Sequence, residues 1–309
     1  MACRLYSHIM ISFFSAAMVI FPSSASADWT PLIERLVADK FDEQTIKNLF
    51  ARPGVQFDPG VMSCKLKELI KNRLRKHDAA YTRKLKIAYA RFLRPGVIAG
   101  ARSYAEKNNE TLQKIAKEYC IPKEVIISIL LVETELGRNL GDRGAFNSLA
   151  SMALSSDLET LRPYLMPDLI TERNEDFART RCRQKAEWAY EELKALIRYA
   201  AERGIDPLII PGSLYGAIGL CQFMPSKIHE YGVDADKDGF IDLFSEQDAL
   251  YSVANYLSAH GWGCGISAKK QHRVILAYNH SDIYASTVLN VARKLKQKSR
   301  DESAANGTN

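Results

Sequence analysis

Ile121–Gly137 reads IPKEVIISILLVETELG, an apolar run framed by a proline near its start and a glycine at its end. Pro122 suits a first helical turn, where its missing N–H is no loss, and Gly137 suits a C-terminal stop. At about 3.6 residues per turn, Glu133 falls on the face of Ile126, Ile129 and Leu130, whereas Glu135 continues the polar line of Glu124 and Ser128. One carboxylate therefore ends an apolar stripe, where loss of water should raise its pKa and keep it protonated near neutrality. A general acid needs that state. The plainer alternative is a carboxylate at a helix end that reaches solvent.

Working outward, the same helical spacing recurs almost throughout. Pro31–Phe50 carries Leu32, Ile33, Leu36, Val37, Ile46, Leu49 and Phe50 at three-and-four spacing, and Cys64–Lys76 and Tyr81–Phe92 repeat the pattern with basic outer faces. Pro95-Gly96 interrupts the chain before Ala99–Tyr119 resumes as a further helix. Gln184–Arg203 is predicted to be a long helix ending at Gly204, with Pro207 beyond. Strand-like alternation is nowhere sustained and no internal repeat is found, so the fold class is mainly α and not a solenoid. From Gln297 the chain is polar and predicted to be disordered.

With 309 residues, 47% apolar and 25% charged, the chain has the composition of a globular protein. Lys and Arg total 42 against 36 Asp and Glu, a net +6, with the signs interleaved, which argues against nucleic-acid binding. Arg4, the apolar run Ile9–Phe21 and the small residues Ala25-Ser26-Ala27 read as a secretory signal peptide with the mature protein starting at Asp28. The run is too short to span a bilayer, and Cys3 precedes it, so an exported, periplasmic, soluble protein without a lipid anchor is expected. Cys64, Cys120, Cys182, Cys221 and Cys264 then remain, an odd number without metal-ligand spacing; which of them pair is left open.

Two further segments carry chemistry. In Gly212–Pro225, GSLYGAIGLCQFMP, Gly212, Gly216 and Gly219 allow tight turns while Ser213 and Gln222 offer uncharged hydrogen-bonding groups suited to a sugar; a glycine-rich helix entry with a capping serine is the alternative. Asp234-Ala-Asp-Lys-Asp-Gly-Phe-Ile-Asp242 matches an EF-hand calcium loop, with carboxylates at Asp234, Asp236 and Asp238 and the Phe240 carbonyl at its seventh position. Its twelfth position is Ser245, so Glu246 or Asp248 must supply the missing oxygens. With one such loop, a structural clamp is expected, not a switch. A last cluster, Tyr278-Asn-His-Ser-Asp-Ile-Tyr284, pairs aromatic rings with an amide, a common way to hold a saccharide.

Taken in order, Val132-Glu133-Thr134 with Gly137, GSLYGAIGLCQFMPS, VDADKDGFIDL with Asp248, SVANYLSAHGW and YNHSDIYA resemble the family 3 lytic murein transglycosylases of the B type. The resemblance covers roughly Tyr81 to Ala292. It implies a mainly α, lysozyme-like (α+β) catalytic domain with an embedded EF-hand loop binding one structural calcium ion. The resulting division is a signal peptide over 1–27, an N-terminal helical segment over 28–80, the catalytic domain over 81–298 and a tail over 299–309.

The implied activity is non-hydrolytic cleavage of the β-1,4 bond between N-acetylmuramic acid and N-acetylglucosamine, leaving 1,6-anhydro ends. The implied catalytic residue is Glu133. Ser213, Gln222, Tyr256, Tyr278, Asn279, Tyr284 and Tyr89 would line the groove, and Asp234, Asp236, Asp238, Phe240 and Asp248 would hold calcium. Peptidoglycan glycan strands are the implied substrate, with cell-wall synthesis or secretion machinery as candidate partners. A hydrolytic muramidase on the same fold and a non-catalytic, calcium-stabilised wall-binding protein are the competing readings.

Overall fold

The computed structural model describes residues 27–74 and 79–306. The expected signal peptide thus lies, but for Ala27, outside the described residues. Helices dominate, and among the described residues the only sheet pairs Arg143–Gly144 with Pro211–Gly212 in antiparallel register. No described helix is long and apolar enough to cross a membrane.

The described chain forms two compact units. The first takes the residues up to 74 together with Gly141–Ile218 and Met224–Ser226, and the second takes residues 79–140, Gly219–Phe223 and the chain from Lys227 onward. Of the N-terminal helical segment expected over 28–80, the described part up to Leu74 is helical and packs with Gly141–Ile218 in the first unit. In that first unit the long helix Glu175–Glu202 packs on Ala145–Leu154 and Pro59–Leu74. Buried Ala178, Ala186, Ala189 and Ala200 on one partner, and Ala145, Ala150 and Ser151 on another, let the helices approach closely.

The second unit is built around Lys123–Thr134. Every residue from Val125 to Val132 is buried, including Ser128, whose hydroxyl donates to the Glu124 carbonyl at 2.5 Å. A helix apolar all round is a core helix. On the expected polar line of Glu124, Ser128 and Glu135, only Ser128 is buried, while both glutamates are half-buried. Asp282–Asn306, Pro95–Lys107, Asn109–Tyr119 and Glu246–Ala259 surround it.

Several boundaries differ from the sequence expectation, each for a local reason. Pro31–Phe50 is two helices, Thr30–Ala38 and Glu43–Phe50, because the Asp42 side chain accepts from the Thr45 N–H at 2.8 Å and starts a new one. Ala99–Tyr119 is likewise split at Asn108, and Pro95 begins its helix instead of ending the previous one, as its fixed φ allows. The last helix runs on to Asn306, past the point at Gln297 where disorder is expected. Cys120 ends Asn109–Tyr119 in the left-handed region (φ 57°) and is bonded to Cys264, closing a span of 144 residues; Cys182 and Cys221 are buried free thiols.

Candidate active site

Glu133 sits in the last turn of the core helix, which stops one residue later. Glu135 (φ 52°), Leu136 (φ 63°) and Gly137 (φ 86°) are all left-handed, and the Leu136 N–H closes back on the Leu130 carbonyl at 3.1 Å while Glu135 N–H meets Leu131 O at 3.1 Å. This double closure ends the helix and lifts Glu135 off it. Glu133 remains partly open, yet its carboxyl is stripped of water, and that burial pushes its pKa up to about 8 against a hydrogen bond from Tyr284 that pulls it down. Neither cause is a second carboxylate.

The Tyr284 hydroxyl donates to Glu133 Oε1 at 2.6 Å, and its ring is wholly buried. Tyr89 meets Tyr284 edge-on at 6.5 Å, and Tyr278 lies parallel to it at 6.4 Å. Tyr278 in turn donates to the Cys221 carbonyl at 2.6 Å, and Tyr256 donates to the Ala277 carbonyl at 2.8 Å. Tyr284 and Tyr278 are held in the neutral phenol form by burial, which raises both pKa values well above the usual phenol range. The expected residues Glu133, Tyr284, Tyr278, Tyr89 and Tyr256 therefore form one connected aromatic wall around a protonated acid.

Gln222 is also in this unit, in a left-handed turn (φ 52°), with its amide donating to Gly219 O at 3.0 Å. Asn279 caps the Ala268–Tyr278 helix, and among the described residues its amide bonds to no other side chain or carbonyl. Ser213 belongs to the first unit, where its Oγ accepts from Ala217 N at 3.0 Å and shapes the glycine-rich turn. Gly216 (φ 86°) lets that turn press on Leu149, since a Cβ there would come within 2.5 Å of it.

Two residues that sequence reading passed over hold the acid's support in place. The Thr134 hydroxyl donates to the Leu220 carbonyl at 2.8 Å and accepts from the Gly137 N–H at 3.0 Å, while the Leu220 N–H donates to Leu243 O at 2.8 Å. Gly219 (φ 74°) permits this, because a Cβ there would lie 2.4 Å from Leu243. Thr134 stands beside Glu133 in the sequence, but its partner is 86 residues away, so spacing carries no sign of it.

Leu243 directly follows the acidic loop. There the carboxylates of Asp234, Asp236 and Asp248 bring ligand oxygens within 4.8 Å of one another, and Asp238 stands outside this trio with its Oδ1 accepting the Phe240 N–H at 2.8 Å. Asp248 is 1% exposed, and burial with the nearby Asp236 and Asp234 charges raises its pKa although two backbone N–H groups oppose this. Asp234 Oδ1 is buried without a hydrogen-bond partner. A hard all-oxygen donor set with an orphaned carboxylate oxygen fits a divalent cation of the calcium type.

Residues 24–269 match the family defined by the Transglycosylase SLT domain. The chain belongs to that family. This SLT-domain protein is 30% identical over 172 residues to membrane-bound lytic murein transglycosylase B of Escherichia coli (strain K12), a match covering 56% of this chain and 40% of that relative's length. It thus spans less than half of that relative. Its fold is similar to that of the Escherichia coli lytic transglycosylase Slt35 in complex with calcium, with a TM-score of 0.65 at 23% identity, over 87% of this chain and 92% of the other. It is also similar to Pseudomonas aeruginosa SltB3 in complex with NAG-anhNAM-pentapeptide, with a TM-score of 0.63 at 21% identity, over 86% and 78% of the two chains. The SLT-domain protein is mainly α with a lysozyme-like fold, as its sequence suggests.

Proposed function

We propose that this SLT-domain protein is a peptidoglycan lytic transglycosylase. The observation that carries the reading is the single carboxyl of Glu133, with a pKa of about 8 and a phenol as its hydrogen-bonding neighbour. Two-carboxylate glycosidases need a base or nucleophile opposite the acid, whereas an attack from within the sugar needs only one residue to give and then take a proton. Glu133 protonates the oxygen of the β-1,4 bond between N-acetylmuramic acid and N-acetylglucosamine, and that bond breaks. The substrate's own N-acetyl group stabilises the resulting cation. Glu133, now ionised, takes the proton of the muramyl C6 hydroxyl, whose oxygen closes the 1,6-anhydro ring and leaves Glu133 protonated as it began.

Tyr284 orients Glu133, and Tyr278, Tyr89 and Tyr256 wall the sugar site, with Gln222 and Asn279 as hydrogen-bonding groups to the sugars. Asp234, Asp236 and Asp248, completed by Asp238 and the Phe240 carbonyl, would hold a calcium ion, which would serve as a structural clamp by neutralising their mutual repulsion. The relatives' names support this assignment, as do the calcium complex of Slt35 and the glycan-peptide complex of SltB3. Export to the periplasm completes the reading, and a disulfide between Cys120 and Cys264 accords with an oxidising compartment.

Digestion of purified peptidoglycan followed by mass spectrometry tests it. Anhydro-muramyl ends are expected. Products heavier by one water would make the protein a muramidase, and an unchanged polymer would leave a wall-binding protein.

A further inference from the structure

The interleaving of charge along the chain breaks down in two stretches. Residues 79–105 hold six Lys and Arg and residues 283–300 hold five, and neither stretch contains an Asp or Glu. With the whole chain at +6, the remainder is net negative, so positive charge is concentrated in these two. Both lie in the second unit and pack on one another: the helix Asp282–Asn306 contacts Ala79–Ala90, Arg91–Leu93 and Pro95–Lys107. Arg102 Nη2 donates to the Lys294 carbonyl at 2.7 Å, which ties the later half of that helix to Pro95–Lys107.

The chemistry above uses the inner face of Ala79–Ala90, where Tyr89 is buried against Tyr284 and Leu85 is half-buried. Its outer face has no role there. At about 3.6 residues per turn, Ile87 points away from Leu85 and Tyr89, with Arg83 one turn before it and Lys84 and Lys86 to either side. All four are exposed, Ile87 by 65%. Among the described residues no carboxylate pairs with Arg83, Lys84 or Lys86, whereas Arg91 is engaged by Glu135 at 3.0 Å. Arg94, Arg293 and Lys294 add further exposed cations on the adjoining elements.

Charge alone would suit any polyanion, but an isoleucine at the crest of the cations would not. A soluble polyanion offers that side chain nothing. A bilayer offers phosphate to the guanidinium and ammonium groups and, a few ångströms deeper, hydrocarbon to the isoleucine, while the long Lys and Arg stems reach back to the headgroups.

We propose that the outer face of Ala79–Ala90 docks on the anionic phospholipid surface of a bilayer through Arg83, Lys84 and Lys86, with Ile87 inserted among the headgroups. The proposal goes beyond the transglycosylase reading, since it concerns the face opposite Tyr89. Docking sets the aromatic wall one helix diameter, about 10–12 Å, from the membrane surface, so the glycan within reach is that lying against the membrane.

Vesicle sedimentation of the purified protein tests it. Vesicles of phosphatidylglycerol and phosphatidylcholine in equal parts are compared with vesicles of phosphatidylcholine alone. The wild type should bind the first and not the second, and binding should weaken as salt rises. Each Lys or Arg near an anionic surface is worth about fivefold in affinity, so the Arg83→Gln, Lys84→Gln, Lys86→Gln triple variant should lose on the order of a hundredfold. Ile87→Ser should lose about tenfold. Absence of binding to the mixed vesicles, equal binding to both kinds, or undiminished binding by the triple variant would overturn the proposal. Undiminished binding by Ile87→Ser would also overturn it, since the face would then read charge alone, as a site for a soluble polyanion does. A control variant, Lys40→Gln, Arg173→Gln, Arg183→Gln, removes the same charge from exposed positions in the first unit, and an equal loss with it would show that net charge decides and would refute the docking face.

Cleavage of soluble glycan strands separates this proposal from the proposed activity. The triple variant should cleave them as the wild type does; a loss there would place the three cations in substrate binding and sink the proposal. A wild type that binds vesicles in the expected pattern yet cleaves nothing would lose the transglycosylase reading and keep this one. The replaced side chains are all exposed, and thermal melts check that each variant folds as the wild type does.

Discussion

Replacing Glu133 by Gln should abolish glycan cleavage and, at neutral pH, make the protein more stable. The usual carboxyl value of 4.5 is raised to about 8 in the folded chain, and loss of water is the first cause. Between those values the unfolded chain ionises Glu133 while the folded chain holds the proton, so the unfolded state binds fewer protons. Wild-type stability therefore falls as pH rises from about 4.5 to about 8 and is flat on either side. At pH 7 the gap is about 2.5 pH units, and at about 1.4 kcal/mol per unit the penalty is on the order of 3 kcal/mol. Glutamine cannot ionise and escapes it. Any fixed cost of the new amide is the same at every pH, so the difference between the two proteins across pH isolates the carboxyl.

Urea unfolding of both proteins at pH 4, 5, 6 and 7 measures this. The variant should gain about 3 kcal/mol relative to wild type between the ends of that series, equivalent to roughly 2–4 °C of Tm per kcal/mol for a unit of 150–250 residues. Parallel curves would mean that Glu133 is solvated and ionised in the folded state, and the general-acid argument would fall with them.

Tyr284→Phe removes the one contact that lowers the Glu133 pKa, so the alkaline limb of the pH–rate profile, near pH 8 in the wild type, should move upward while kcat falls; a limb that stays put or moves down would refute that pairing. Calcium at about a hundred times its Kd should stabilise the protein by about 2.7 kcal/mol, so chelation should lower Tm measurably, and an unchanged melt would exclude a structural metal in the acidic loop. The Cys120→Ser, Cys264→Ser double variant opens a span of 144 residues and should lose up to about 5 kcal/mol in the chain-entropy picture, read from urea midpoints; an unaltered midpoint would show that the bridge constrains nothing.

The helical class and the burial of the Glu133 carboxyl were legible because both are local: an apolar run with a proline before it and a glycine after it, and one carboxylate in register with buried neighbours. The acidic loop was legible for the same reason, since alternate carboxylates around Gly239 fix a turn within a few residues. Its trio was less so, because Asp248 joins from the next helix and Asp238 turns to the Phe240 N–H instead. The breaks at Asp42 and Asn108 were hidden by apolar spacing that continues in step across them. The Tyr284–Glu133 bond links residues 151 apart and the Cys120–Cys264 bridge 144 apart, and no pattern within a window encodes either. The division of the chain into units was not legible at all, since the first unit gathers three separate stretches whose association is decided by burial.

Leu220 uses both sides of its peptide unit at once, its N–H toward the residue that ends the acidic loop and its carbonyl toward the hydroxyl beside Glu133. These two hydrogen bonds would carry a disturbance at the carboxylate trio as far as Thr134, the residue next to Glu133. Lesions in that loop would accordingly blunt turnover while the helices still stand, so a screen that scores only expression would miss them.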